Sequence, residues 1–181
     1  IVSRDWSSDV CSSDLDVMMG KIFQIGGISL IVITLFTILS LLIVGYEPQD
    51  QSPGLWLTGE LATEDVADWS FTEQHEEIFV QTRSPWLIPH SVTTYCATYN
   101  DSFYLFSAYY GGGDFPDLRR WNKNVVRDPR VRLKIGDQLF DQRVSYIDDE
   151  SIRMPVHQAF VDKYPQWASP GLENVHIFQV L

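Results

Sequence analysis

The 181-residue sequence predicts an α+β domain, a small antiparallel β-barrel with two short helices, preceded by one transmembrane helix. Three observations lead to this prediction. Residues 25–44 form an apolar run that is long enough to cross a bilayer. Beyond it, five or six segments rich in β-branched and aromatic residues alternate between turn signals, as antiparallel strands do. They show no βαβ alternation, and a closed or split barrel would remove their exposed edges.

The composition excludes several classes of protein. The chain carries 24 acidic and 13 basic residues, a net charge of −11, whereas nucleic-acid phosphates are neutralised by an excess of Lys and Arg. General nucleic-acid binding is therefore excluded. Two cysteines, Cys11 and Cys96, are too few for a disulfide-stapled scaffold or a cysteine-based zinc module. Cys96 lies in an apolar segment, which predicts a small core residue.

Residues 1–17 contain no fold signal. The run DWSSDVCSSDL at residues 5–15 resembles the translation of a sequencing-library adapter. We therefore expect an artefact fused upstream of a start at Met18 or Met19, and a disordered N-terminal tail is the alternative. Under either interpretation the segment is left out of the fold prediction.

The apolar run predicts a membrane anchor over residues 22–46, which contain no charged residue. Its 20-residue core spans about 30 Å as a helix, the thickness of a hydrocarbon layer. A cleaved signal peptide has a shorter apolar core, and a buried core helix is the other alternative. Lys21 precedes the run while Glu47 and Asp50 follow it, so the positive-inside rule predicts a cytoplasmic N-terminus and an extracytoplasmic, periplasmic domain.

The segment after the anchor divides into a tether and a domain. Residues 47–70, with Pro53, Gly54 and Gly59, predict a tether, and residues 71–181 predict the barrel domain. Turn residues at 100–101 and 136–137 close two hairpins. The predicted strands are 77–82, 90–99, 102–109, 130–135, 138–146 and 175–180.

Two helices are predicted among these strands. The first begins at Pro116 or Asp117 and continues to about Arg127, where Asp128-Pro129 ends it. Trp121 on this helix is expected to cover the barrel. The second helix runs over residues 148–164, and its acidic first turn suits the helix dipole.

Acidic and basic residues are segregated along the domain. Residues 45–118 contain 12 acids and one base, Arg83, whereas residues 119–134 contain seven bases and one acid. One concentrated basic segment in an acidic domain favours a small anionic ligand over a polyanion. The alternative is a basic rim that balances nearby acids or faces lipid headgroups.

Three stretches carry a resemblance to a known group of proteins. They are QTRS at 81–84, PHSVTTYCATYNDSFYLFSA at 89–108 and RRWNKNVVRDPRVRLKIG at 119–136. Together, residues 77–149 resemble the pyridoxamine 5'-phosphate oxidase-like superfamily of split β-barrels and the related deazaflavin-dependent nitroreductase-type proteins. The resemblance implies a six-stranded split barrel of the FMN-binding type and a homodimer that holds FMN or a deazaflavin at the subunit interface.

The resemblance also implies a set of cofactor-binding residues. The flavin ring would lie near the first hairpin and the phosphate near the basic helix, where a Gly-rich loop at 111–113 offers backbone N–H groups. The implied ring contacts are Thr82, Arg83, His90, Ser91, Val92 and Thr93. The implied phosphate contacts are Ser107, Arg119, Arg120 and Lys123, with Asn124 beside them.

The leading hypothesis is a membrane-anchored, flavin-binding protein of oxidoreductase type, with no catalytic residue and no metal site assigned. His75-Glu76-Glu77 lacks the spacing of a metalloprotease helix and predicts a solvated strand edge. His157 and His176 have no partner visible in the sequence. The competing hypothesis is an envelope domain that uses the same barrel for association without a cofactor, or for binding haem or a hydrophobic ligand.

Overall fold

The computed structural model describes residues 10–108, 114–117, 119–166 and 171–181, with side chains from residue 18 onward. The chain forms two compact units, one ending at Ile43 and the other comprising Val44–Leu181. The predicted Gly-rich loop at 111–113 lies outside the described residues.

The first unit contains one long helix, α1 (Val10–Val44). Its stretch Met18–Val44 has a mean hydropathy of 2.7 and no buried residue, so by length and composition it could cross a membrane. A signal sequence would have the same character. Residues 10–17, predicted as a tail or an artefact, belong to this helix. The helix ends before Gly45, whose φ of +78° is typical of the residue that follows a helix.

The second unit is a barrel with α-helices packed on it, which confirms the predicted fold class. A two-residue strand, β1 (Glu60–Leu61), precedes six longer strands. These are β2 (Ile78–Arg83), β3 (Pro89–Tyr99), β4 (Ser102–Ala108), β5 (Arg130–Ile135), β6 (Gln138–Ile147) and β7 (Val175–Val180). Each lies within one or two residues of its predicted bounds.

The six longer strands form a closed antiparallel barrel. Their order around it is β6-β5-β2-β3-β4-β7, and β6 pairs with β7 to complete the circle. β6 changes partner along its length, because residues 138–143 pair with β5 and residues 144–147 pair with β7. β1 adds to β6 in parallel.

Alternate residues of each strand fill the barrel, as the period of two requires. In β2 the inward positions are Ile78 and Val80, and in β4 they are Phe103 and Leu105, all with at most 1% of their surface exposed. Trp69, from the segment before β2, stacks on Phe103 with ring centroids 4.7 Å apart. The interior is therefore packed with apolar side chains along most of its length.

Two helices pack on the barrel. Helix α2 (Arg120–Arg127) closes one end, and Trp121 enters the core there, as predicted. The helix starts later than expected, because Arg119 has extended φ and ψ angles. Helix α3 (Glu150–Lys163) lies on the outside of β3 and begins at Asp149, whose carboxylate accepts from the backbone N–H of Ser151.

The predicted tether is part of the compact second unit. Leu57 is buried, and its backbone N–H donates to the Gln81 side chain at 2.8 Å. Glu47 forms an ion pair of 2.6 Å with Lys134 on β5. Gly54 exchanges two backbone hydrogen bonds with Ser91, and a Cβ at Gly54 would collide with the backbone of residues 46–48. The predicted tether therefore includes glycines, Gly54 and Gly59, that lie against neighbouring backbone.

Candidate functional site

Polar side chains collect inside the barrel at the end that α2 closes, where the apolar filling stops. Thr82 continues the inward face of Ile78 and Val80, and His90 lies opposite Thr82 in the hairpin register. Ser107 continues the inward face of β4 and lies opposite His176 on β7. We call this group the polar end; its members are Thr82, His90, Ser107, Asn122, Asn124 and His176.

Helix α2 brings two asparagines into the polar end. Its apolar residues Trp121 and Val125 anchor it in the core, and the Trp121 ring lies 4.7 Å from that of Phe178. Asn122 and Asn124 are thereby buried. The side-chain amide of Asn124 donates to the Thr82 hydroxyl at 2.9 Å, so these two predicted cofactor residues join α2 to the first hairpin.

A buried pair, Asn122 and His176, was not predicted from the sequence. The Asn122 Nδ2 lies 2.8 Å from His176 Nδ1, and since an amide nitrogen only donates, the ring nitrogen accepts and Nε2 carries the proton. The rings of Phe115 and Tyr146 meet the His176 ring edge-on. The two partners are 54 residues apart in the sequence, so no local pattern indicated their contact.

Several buried polar atoms of this region lack a hydrogen-bond partner among the described residues. Three belong to the polar end: His90 Nδ1, Ser107 Oγ and Asn122 Oδ1. A fourth, Ser91 Oγ, belongs to the opposite face of β3. Folded proteins pair nearly all such atoms, and a cluster of exceptions is typical of a place that water, a ligand or a partner chain completes.

The pKa of the half-buried His90 is lowered from its usual value. Burial, which disfavours the charged ring, is the main cause, and the positive charge of Arg120 acts in the same direction. The ring is therefore neutral at pH 7. A neutral imidazole has one nitrogen that donates and one that accepts, which suits a polar ligand edge.

The predicted phosphate-binding residues are not equivalent. The guanidinium of Arg119 donates twice to the Ala108 carbonyl oxygen, at 3.1 and 2.7 Å, and holds the end of β4. Lys123 forms a 2.8 Å ion pair with Asp117, and both side chains are more than half exposed, so the pair is weak. Arg120 is exposed. Its guanidinium is the one whose charge acts on His90.

The other predicted ring contacts lie apart from the polar end. Arg83 and Thr93 occupy the outward positions that alternate with Thr82 and Val92. Val92 packs against the apolar core. The structure therefore brings Thr82, His90, Ser107 and Asn124 together and leaves Arg83, Ser91 and Thr93 on the outer face.

A cavity of about 550 Å³ lies on this outer face, across β2, β5 and β6. We call it the basic groove, since four arginines line it: Arg83, Arg130, Arg132 and Arg143. Arg132 pairs with Asp141 at 2.6 Å and Arg130 with Asp128 at 2.8 Å. Arg130 lies directly opposite Arg143 in the register, an unfavourable arrangement of like charges.

Comparisons with known proteins give structural neighbours only, since no protein-family profile and no curated protein match the chain. A pyridoxamine 5'-phosphate oxidase-like protein from Listeria innocua has 16% identity and a TM-score of 0.44, over 62% of this chain and 87% of its own. A 5-nitroimidazole antibiotic resistance protein from Bacteroides thetaiotaomicron has 16% identity and a TM-score of 0.46, over 73% and 84%.

An F420-H2-dependent reductase has 19% identity and a TM-score of 0.43, over 59% of this chain and 95% of its own. These neighbours come from the group that residues 77–149 resemble. At such identities and TM-scores they assign no function to this chain. The strand pairing of this chain itself establishes the barrel.

Proposed function

We propose that this chain is a membrane-anchored protein of oxidoreductase type that binds FMN or a deazaflavin at the polar end of its barrel. The observation that carries the proposal is a set of buried atoms with no hydrogen-bond partner in the described part of the chain, His90 Nδ1, Ser107 Oγ and Asn122 Oδ1, beside the exposed cation Arg120. A flavin offers the complementary pair of features, a polar ring edge and an anionic phosphate. A bound flavin would supply hydrogen-bond partners for these buried atoms.

The polar end and the exposed cations beside it offer the hydrogen-bonding groups and the positive charge that such a cofactor requires. Arg120 can donate charge-assisted hydrogen bonds to a phosphate, and Lys123 can exchange its exposed partner Asp117 for the same anion. The hydroxyl of Ser107 and the neutral ring of His90 supply donors and acceptors for a ring edge or a phosphate oxygen. Arg119 keeps its structural role at the end of β4. When bound, a flavin supplies hydride or electron transfer.

The cellular arrangement is a second part of the proposal. Helix α1 anchors the chain in a membrane, and the charge difference between Lys21 and the acids after the helix favours an extracytoplasmic barrel. A periplasm-dependent reporter fused after Leu181 is expected to be active and a cytoplasm-dependent reporter inactive. The reverse pattern would contradict this topology.

Purification of the full chain in detergent tests cofactor binding. We expect yellow protein, or protein that becomes yellow with FMN or a deazaflavin, and release of a fluorescent flavin on denaturation. Titration of the colourless protein with both cofactors measures which one binds. Absence of colour, of released flavin and of saturable binding would contradict the proposal and favour a barrel that acts by association alone.

We also propose a homodimer with the cofactor at the subunit interface, as the resemblance of residues 77–149 implies. Light scattering of the detergent-solubilised chain, corrected for bound detergent, measures its mass. A monomer both with and without cofactor would contradict the dimer, and the cofactor titration would remain a separate test.

A further inference from the structure

The loop between β2 and β3 presents three apolar side chains to solvent. Trp86, Leu87 and Ile88 have 84%, 73% and 51% of their surface exposed, and we call them the apolar tip. The loop is an ordered turn, because Ser84 donates to and accepts from its backbone at 2.9 Å. The Ser84 hydroxyl also accepts from the backbone N–H of Ile88. The fold therefore holds these apolar groups outward.

Arginines surround the base of the apolar tip. Arg83 is the last residue of β2, and the guanidinium of Arg127 donates to its carbonyl oxygen. Arg130 and Arg143 share the basic groove with Arg83. We call Arg83, Arg127, Arg130 and Arg143 the basic collar. It stands out because residues 45–181 carry 20 acids and 11 bases.

The apolar tip lies near the point where the chain enters the second unit. Tyr46 pairs with Leu55 and Trp56 through backbone hydrogen bonds, and the adjacent Gly54 pairs with Ser91. Two such hydrogen-bonded steps cover about 10 Å, and the three residues from Ser91 back to Ile88 cover at most about 10 Å. The step from Leu55 to Gly54 adds about 3.8 Å, so within this unit the backbone of the tip is at most about 24 Å from Tyr46.

We propose that the apolar tip inserts into the headgroup layer of an anionic bilayer while the basic collar contacts lipid phosphates. The proposal rests on the proposed membrane anchoring, since a spanning α1 would end at the bilayer surface beside Tyr46. Trp favours the membrane interface, and basic residues are attracted to anionic lipids. A second copy is a poorer occupant, because a symmetric contact would place one basic collar against another.

Reconstitution of the full chain into vesicles of phosphatidylcholine and phosphatidylglycerol tests the proposal. The readout is quenching of tryptophan emission by phosphatidylcholine brominated on its acyl chains. The Trp86 component is the difference between wild type and Trp86→Phe, which removes one exposed indole. We expect this component to be quenched by the brominated lipid and protected from acrylamide in solution.

Two substitutions of exposed leucines form a matched pair. Leu87→Asp places a carboxylate in the apolar tip, and aspartate tolerates the positive φ of 59° at this position. Leu61→Asp makes the same change on β1, which pairs with the start of β6 at the other end of β5. Leu87→Asp should abolish the quenching of Trp86, whereas Leu61→Asp should leave it unchanged.

The arginines have their own expected effect. Each basic residue near an anionic surface contributes a factor of about five in affinity, so Arg83→Gln should reduce occupancy of the inserted state about fivefold. Omitting phosphatidylglycerol should produce a larger loss, because it removes the attraction of all four arginines. Equal quenching in both lipid mixtures and in Arg83→Gln would contradict the role of the basic collar.

The outcomes separate this proposal from the proposed anchoring. Co-flotation of every variant with vesicles after alkaline carbonate supports anchoring by α1, and its loss would overturn both proposals. Co-flotation with an unquenched Trp86 component would overturn the tip proposal alone. Protection of Trp86 that increases with the protein-to-lipid ratio would identify a second copy as the occupant and would also overturn it.

Discussion

Helices α2 and α3 both cover the barrel, but they use their buried surfaces in opposite ways. Helix α3 places Val156, Phe160 and Tyr164 against the outside of β3, β4 and β7 in an apolar cluster. Helix α2 buries two asparagines as well as Trp121 and Val125. Some polar groups that reach the barrel under α2 have no hydrogen-bond partner within the described ranges, an arrangement that costs stability and is typical of a binding site.

The Tyr164 hydroxyl shows how fully the α3 side is satisfied. It lies 2.8 Å from the carbonyl oxygen of Glu76 and 2.9 Å from that of Cys96, and it accepts from the Cys96 backbone N–H at 3.3 Å. Burial raises the pKa of Tyr164, so the group stays a neutral donor. The difference indicates that α3 contributes to stability, and the proposed function assigns binding to α2. Each prediction below tests that division.

The largest expected effect is on the α3 side. Phe160 is 4% exposed, and its ring lies 4.4 Å from that of Phe106. Phe160→Ala should lower the free energy of unfolding by about 3–5 kcal/mol, because it leaves a cavity, with cofactor affinity unchanged. Denaturant unfolding and cofactor titration below the transition measure the two quantities. A loss of cofactor affinity in the folded variant would contradict the assignment of α3 to stability alone.

Arg120→Gln should weaken cofactor binding and leave stability almost unchanged. It removes a charge-assisted contact of about 1.5–3 kcal/mol to the cofactor phosphate, a ten- to hundredfold loss of affinity, while stability stays within about 0.5 kcal/mol. The affinity difference should shrink as salt rises. Arg143→Gln, the same change on the outer face, is the matched control for the titration. Equal affinities in the two variants would contradict the phosphate role of Arg120.

Tyr164→Phe should lower the free energy of unfolding by about 1–3 kcal/mol, because it leaves backbone groups of Glu76 and of the buried Cys96 without this partner. Its volume hardly changes, so packing is not the cause. Thermal unfolding beside Tyr104→Phe, another tyrosine of the same cluster, measures the difference. A Tyr164→Phe protein as stable as wild type would show that the α3 side does not depend on its hydrogen bonds.

Two buried hydroxyls that lie near one another on β3 and β4 differ in their hydrogen bonding. The Thr94 hydroxyl donates to the Phe106 carbonyl oxygen, whereas the Ser107 hydroxyl has no partner among the described residues. Thr94→Val should therefore cost about 1 kcal/mol of stability, and Ser107→Ala should be neutral or stabilising by up to about 1 kcal/mol. Ser107→Ala should nevertheless weaken cofactor binding. A destabilised Ser107→Ala protein would mean that the hydroxyl is already satisfied.

The smallest expected effect is a pH dependence from His90. Because its pKa is lowered in the folded protein, the unfolded chain binds more protons as the pH falls below about 6.5. Stability attributable to His90 is complete above that pH and decreases below it. His90→Gln should reduce the acid sensitivity measured by denaturant unfolding from neutral pH to about pH 5.5. An unchanged pH profile would contradict the lowered pKa.

The strands were predictable because their chemistry repeats locally. Alternation of basic and apolar residues from Arg130 to Ile135 fixed β5 to the residue, and β7 was equally clear. The two-residue β1 has no pattern of its own, since its pairing with β6 defines it. The grouping of residues 47–70 with the barrel could not be predicted, because a glycine needed for close packing and a glycine in a linker look the same in a sequence.

The site was less predictable than the fold for a physical reason. Thr82, His90, Ser107 and Asn124 were predicted together, yet the amide–imidazole pair of Asn122 and His176 depends on strands closing far from each other in sequence. Arg119, Arg120 and Lys123 were predicted to share one phosphate-binding role, although their surroundings in the structure differ. Their charges are identical in the sequence, but Arg119 is committed to a backbone carbonyl and Lys123 to a carboxylate.

The change of partner along β6 has a consequence for how the molecule acquires its structure. The barrel closes only when β7 docks between β4 and β6, and β4 lies far earlier in the sequence. Long-range pairing of this kind slows folding, and until it happens β4 and β6 present open edges to other chains. Nascent or stressed protein is therefore vulnerable to edge-to-edge aggregation in the interval before β7 docks, and chaperones that shield extended strands would act in that interval.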